Sequence, residues 1–161
     1  MRELASTREV YGKTLVALGR ENPDIVVLDA DLSRSTMTRF FAQEFPQRFF
    51  DCGIAEQNMM SISAGLAASG KIVFANSFAV FATGRCFDQL RMSIAQPHLN
   101  VKVVASHGGI SVGEDGFSHH SIEDLSLACS LPGFTVVVPA DAIEVAQVVR
   151  VAAATPGPFY I

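Results

Sequence analysis

Only three cysteines occur in this 161-residue sequence, and Cys52, Cys86 and Cys129 stand far apart. Their odd number and wide spacing exclude a disulfide framework and the close ligand pairs of a zinc site. Each is expected as a small buried hydrophobe. No apolar run approaches the length needed to cross a bilayer, and Met-Arg-Glu-Leu at the N-terminus opens without the hydrophobic stretch of a signal peptide. A cytosolic protein is expected. Charge is sparse as well: 17% of residues are charged, the formal net charge is −4, and Lys and Arg are scattered. Nothing resembles an electrostatic footprint for nucleic acid or an anionic membrane, so neither is expected as a partner. Internal repeats, low-complexity tracts and linkers are also lacking.

What remains is rich in apolar residues, 49% of the chain, a composition suited to one packed globular domain over residues 1–161. Ser6-Thr7-Arg8-Glu9 has capping-box spacing, and Val10, Thr14, Ala17 and Leu18 recur at helical intervals until Asn22-Pro23 stops the helix. Ile25-Val26-Val27-Leu28 reads as a strand buried on both faces, ending at Asp29-Ala30-Asp31. The alternation continues, with helices over 37–45, 55–69, 83–95, 122–129 and 142–153. Strands are expected near 48–52, 71–75, 101–105, 134–138 and 158–161. This grammar predicts an α/β fold: a doubly wound, mostly parallel sheet of about six strands with helices on both faces. Ligands of such sheets sit beyond the C-terminal strand ends, which directs attention to the loops at 29–36, 51–57, 76–83 and 106–121.

The stretch from Ser106 to His120 gathers three of the four histidines, two carboxylates and four glycines in one strand-to-helix connection. By composition alone it reads as a solvated surface loop with tight turns, and the Gly-Lys-Ser/Thr ending of a phosphate-binding P-loop is missing. Its order says more. Ser111-Val112-Gly113-Glu114-Asp115-Gly116-Phe117-Ser118-His119 resembles the Gly-Val-Gly-Glu-Asp-Gly-Pro-Thr-His of transketolases. Asp29-Ala30-Asp31-Leu32-Ser33 resembles that family's Ala-Asp-Leu-Thr segment, Gly53-Ile54-Ala55-Glu56-Gln57 its Gly-x-x-Glu motif, and Pro139-Ala140-Asp141 its Pro-Ala-Asp strand end. The four motifs fall in order along nearly the whole chain, which therefore resembles the pyrimidine-binding domain of that family.

The resemblance implies thiamine diphosphate as cofactor and a role for each matching residue. Glu56 corresponds to the glutamate that hydrogen-bonds N1′ of the aminopyrimidine and promotes its imino tautomer, which demands a carboxyl group able to share a proton near neutral pH. As a residue without the motif it reads as an acidic group in a first helical turn, favoured by the helix dipole. Phe78 and Phe81 fall where aromatics enclose the aminopyrimidine. A third aromatic is usual three residues on, where this sequence has Gly84. Asp115 and His119 correspond to residues facing the sugar's hydroxyls and reacting centre, and His107 to a histidine of the substrate channel. Asp31 matches an aspartate near the cofactor, while Arg8 and Ser35 match contacts to the substrate phosphate. Taken alone, Arg8 reads as a solvated residue of a first helical turn and Ser35 as a helix cap. His98 reads as a surface residue, and His120 departs from the usual Gln.

The family grips the diphosphate and Mg²⁺ with another domain, which carries a Gly-Asp-Gly motif absent here. No metal ligands are expected in this chain. The implied partners are a diphosphate-binding subunit or domain, within a homo- or hetero-oligomer, and sugar-phosphate substrates. A start methionine just before the first helix favours a separately encoded subunit, truncated at its C-terminus, over a fragment. The implied reaction is transfer of a two-carbon ketol unit, and the chain alone is expected to be inactive. Alternatives are 1-deoxyxylulose-5-phosphate synthase, whose loop usually reads Gly-Ala-Asp-Gly, a 2-oxo-acid dehydrogenase E1 domain, and a non-catalytic assembly module on the same scaffold.

Overall fold

The computed structural model describes residues 5–161. Its sheet has six strands, β1 (Ile25–Asp29), β2 (Phe49–Asp51), β3 (Ile72–Phe78), β4 (Val101–Ser106), β5 (Thr135–Val136) and β6 (Phe159–Tyr160), in the order β2-β1-β3-β4-β6-β5. Every adjacent pair is parallel, so the expected mostly parallel sheet is parallel throughout. The helices are α1 (Thr7–Glu21), α2 (Ser33–Thr36), α3 (Arg39–Glu44), α4 (Glu56–Ala68), α5 (Asp124–Cys129) and α6 (Ala142–Ala154). α1 begins as its capping signal predicts, with the Ser6 side chain accepting from the Glu9 N–H.

Two apolar layers flank the sheet. On one face Tyr11, Leu15 and Leu18 of α1, Phe41 of α3 and Val145 and Val149 of α6 enclose Ile25, Val27 and Phe74. On the other, Met59 and Met60 of α4, Leu90, Ile94 and Ala128 pack against Val26, Leu28, Val73 and Val103. β1 is buried at all five positions, which explains why its sequence is a continuous apolar run rather than an alternating one. The chain leaving β1 goes to the first layer and the chain leaving β3 to the second. A crevice therefore opens at the C-terminal ends of these two strands, the switch point of the topology.

Several elements depart from the sequence pattern. β3 continues three residues beyond the expected 71–75, because Asn76 and Ser77 are fully buried and paired in register with β1 and β4. The Asn76 side-chain amide donates to the Leu28 and Phe74 carbonyls at 2.8 and 3.0 Å, replacing the water that this polar group would otherwise need. Phe78 consequently ends a strand instead of lying in a loop. The helix expected over 83–95 is two wide π-helical pieces, Phe81–Arg85 and Gln89–Ala95. The helix expected over 37–45 is α3 alone, and the short α2 before it, which the sequence did not suggest, is separated from it by Met37, whose φ of 65° breaks the helical run. Cys86 is buried and Cys52 half-buried, but Cys129 is exposed, because α5 turns only Asp124 and Ala128 inward.

Candidate active site

The C-terminal end of β3 and the first turn of α4 bring most of the expected residues together. Glu56 opens α4 and is 4% exposed, so its carboxylate faces protein rather than solvent. Phe78 and Phe81, at the strand end and in the following π-helical turn, lie nearly parallel with centroids 6.0 Å apart and an interplanar angle of 12°. His107 rests on Phe78 at 3.9 Å, and His119 meets Phe81 edge-on at 5.0 Å and Phe78 at 6.0 Å. An aromatic wall thus carries two imidazoles at its rim.

The glycine-rich loop reaches this wall because it is folded back on itself. Gly109 and Ser121 exchange both backbone hydrogen bonds, at 2.7 and 3.0 Å, and close residues 110–120 into one lobe. Within it Gly116, at φ 71°, turns the chain into the short 3₁₀ segment Phe117–His119 that aims His119 at Phe81. His120 bonds the Val112 carbonyl across the lobe at 3.3 Å, a bracing contact that fits its lack of an assigned role. Asp115 is exposed on the lobe. His107 has φ 60°, and its Nδ1 lies 2.7 Å from Ser106 Oγ. Burial lowers the pKa of His107 below its ordinary value, the Arg8 charge lowers it further, Asp115 opposes that, and His119 adds to the lowering. The imidazole is thereby favoured as a neutral proton acceptor.

Arg8 and Ser35 are also brought together: the Arg8 guanidinium donates to the Ser35 carbonyl at 2.8 Å, joining α1 to α2. Ser35 is inside α2, whose cap is Leu32, so it is not the capping residue that the sequence allows. Arg8 and His107 line a cavity of about 780 Å³ with Tyr11, Ser106, Val138 and Ile161. This cavity lies past the end of β6, and neither Glu56 nor Phe81 lines it. The chemistry-bearing cluster is instead an open wall on the neighbouring side. Asp31 belongs to a third neighbourhood: it is exposed, with φ 62°, and its backbone N–H donates to Asp51 Oδ1 at 3.0 Å.

Sequence reasoning missed two groups. Asp29 is fully buried at the crevice floor, where Oδ2 accepts from the Thr36 and Thr38 hydroxyls at 2.7 and 2.8 Å and Oδ1 from the Leu32 N–H at 2.6 Å. Burial pushes its pKa up, and these donors pull the other way. Beside it Tyr11 donates to Asn76. The second is Arg85, whose guanidinium pairs with Glu56 Oε1 at 2.8 Å and lies 3.9 Å from the Phe81 centroid. Among the described residues no cluster of His, Cys, Asp and Glu is arranged to hold a metal ion, and no helix is long and apolar enough to cross a membrane.

Residues 3–161 match the family model of the transketolase pyrimidine-binding domain. The chain belongs to that family. A Methanocaldococcus jannaschii protein named "Putative transketolase C-terminal section" is 51% identical over 154 residues, covering 96% of this chain and 49% of its own length. Human transketolase is 43% identical over 157 residues, covering 97% of this chain and 25% of its own. Among solved structures, a split-gene transketolase described as an inactive β4 tetramer superposes with a TM-score of 0.87 at 55% identity, covering 99% of this chain and 51% of that one. Campylobacter jejuni transketolase gives 0.88 at 28% identity, covering 99% and 25%. The pyrimidine-binding domain thus spans about half the length of the first of these relatives and a quarter of the human enzyme.

Proposed function

We propose that this domain supplies the aminopyrimidine side of a thiamine-diphosphate site in a transketolase that moves two-carbon ketol units between sugar phosphates. The observation that carries the reading is the junction of the buried Glu56 with the Phe78 and Phe81 wall and its two histidines. The cofactor, when bound, supplies the carbon nucleophile of ketol transfer. Glu56 is fitted to hold a proton at the pyrimidine N1′, since burial keeps water from competing for its carboxyl group. Phe78 and Phe81 offer flat apolar faces to a heterocycle and exclude water beside it. His119 and His107 stand at the rim, where groups on the sugar can exchange protons with them, and Asp115 faces the same opening from the lobe. Arg8 and the Ser35 region suit a phosphate at the far end, and Asp31 flanks the cofactor from the β1 loop.

The described residues include no grip for a diphosphate and its Mg²⁺, so those groups are assigned to a diphosphate-binding subunit or domain. Ile54, Ile110, Phe117 and Ile122 are 73–89% exposed on the loops around the wall, and such a partner would cover them. The split organisation and tetrameric description of the 55% identical relative support an oligomeric, divided enzyme, and cytosolic placement follows from the same reading. The test is Glu56→Gln in the complex with the diphosphate-binding subunit. The nearly isosteric amide should fold normally and slow cofactor C2–H/D exchange by roughly a hundredfold, the scale of positioned proton transfer. Exchange at the wild-type rate would remove Glu56 from the role.

A further inference from the structure

Arg85 makes the two contacts that the proposed cofactor ring needs. Its Nη1 donates to Glu56 Oε1 at 2.8 Å while its Cζ sits 3.9 Å from the Phe81 centroid. A guanidinium and an aminopyrimidine share a planar N–C–N edge that can face a carboxylate and a π-face that can lie on an aromatic ring. Arg85 engages only Oε1 of the carboxylate, but the face of Phe81 that it covers cannot hold a second planar group at the same time. The geometry has a local cause: Arg85 is four residues after Phe81 in a single π-helical turn, so its side chain folds back over that ring. Its backbone is pinned by the Gln57 side chain, which donates to the Arg85 carbonyl at 2.9 Å. The head group is not pinned. The Arg85 side chain is 48% exposed against 5% for Glu56, and a Cβ built on the adjacent Gly84 would meet nothing within 4 Å. At that exposure the guanidinium can swing away into solvent.

We infer that Arg85 is a displaceable placeholder for the aminopyrimidine, keeping the buried Glu56 paired and the Phe81 face covered until the cofactor replaces it. The inference rests on the thiamine-diphosphate reading. An unpaired buried carboxylate is costly, which gives the empty state a reason to recruit its own cation. The cost falls on affinity, because the cofactor binds only the fraction of molecules in which Arg85 has moved aside. One half-exposed ion pair and one exposed cation–π contact together make that factor about tenfold.

The test is thiamine diphosphate titrated at fixed Mg²⁺ into the complex with the diphosphate-binding subunit. Arg85→Met, which retains the aliphatic stem, and Arg85→Ala should each bind about tenfold more tightly than wild type, and Arg85→Lys should fall between. A merely structural Arg85 predicts the opposite sign. Unchanged or weaker binding by variants that fold, as judged by circular dichroism, overturns the inference. The isolated chain gives an independent readout: the Arg85 Nε–H resonance, identified by its loss in Arg85→Met, should shift in Glu56→Gln, and an unmoved resonance refutes the pairing. The two readings fail separately. If Glu56→Gln loses C2 exchange while the Arg85 variants bind no tighter, only the placeholder falls; if Glu56→Gln keeps exchange, the cofactor reading falls with it.

Discussion

Lys102 and Cys86 titrate in opposite senses, and the pH dependence of stability separates them. Lys102 is on β4 with no exposed surface, its Nζ donating to the Thr155 and Gly157 carbonyls at 2.7 and 2.5 Å and lying 4.3 Å from the Phe159 ring centroid. Burial pulls its pKa from 10.5 down to about 8. Between those values the unfolded chain holds a proton that the folded chain has released. Stability therefore rises with pH through that window and is lost again as pH falls toward 8. The full swing is about 3 kcal/mol, an upper bound because the two carbonyls and the ring favour the ammonium. Cys86 moves the other way, from 9.0 up to about 12, chiefly through burial and then the Glu56 charge, with Arg85 opposing. The folded chain keeps a proton that the unfolded thiol gives up, so stability falls above pH 9, by about 4 kcal/mol at most. Cys52, Tyr11 and Tyr160, all raised chiefly by burial, add to the fall at high pH. Urea unfolding followed by circular dichroism at intervals from about pH 7 to 11 should show wild type rising above pH 8 and then levelling. Cys86→Ala should lie progressively above wild type beyond pH 9, with Cys52 offsetting part of the Lys102 rise, and Lys102→Met should show no rise at all. A Cys86→Ala profile flat across the window would refute the claim that burial displaces the Lys102 proton.

His119→Ala in the assembled enzyme should leave C2–H/D exchange nearly intact while slowing ketol transfer by about a hundredfold; equal damage to both steps would show that its edge contact with Phe81 serves the cofactor rather than the sugar. Gly157→Ala should destabilise the chain by about 2–4 kcal/mol, since Gly157 has φ 101° and a Cβ there would stand 2.5 Å from His98 Cε1. Adding His98→Ala should recover the steric part and leave the backbone strain, measurable as non-additivity in urea unfolding.

The elements that the sequence announced best were those with a single dominant signal. β1 is apolar at four successive positions and proved buried at all five, and the Ser6 cap set the start of α1. What resisted reading was polar and long-range. Asn76 and Ser77 look like loop residues until β1 and β4 supply the neighbours that let β3 bury them. Asp29 looks like the end of a strand, and only the return of Thr36 and Thr38 across the crevice shows it as a fully buried carboxylate satisfied by two hydroxyls. His98 is exposed as the sequence suggested, yet its ring lies against Gly133 and Gly157, two glycines distant in the chain. The motifs singled out Glu56, Phe78, Phe81, His107 and His119, which the fold gathers at the end of β3 and the start of α4. They were silent on Arg85, whose meaning depends on a π-helical turn that local sequence periodicity does not announce.

Gly84 stands beside Arg85 in the π-helical turn that follows β3. The family pattern leads one to expect an aromatic there, and its absence leaves the wall with two rings instead of three. A Cβ at that position would meet nothing within 4 Å. Arg85, the next residue, fills the corresponding side of the wall by covering Phe81 with a planar cation. A third ring would add fixed apolar surface, whereas the guanidinium adds surface that can leave and a charge that matches Glu56 while it stays. The wall is thus closed by a group whose removal uncovers Glu56 and Phe81 together, so a planar ligand that displaces it meets the carboxylate and the ring face in the same event.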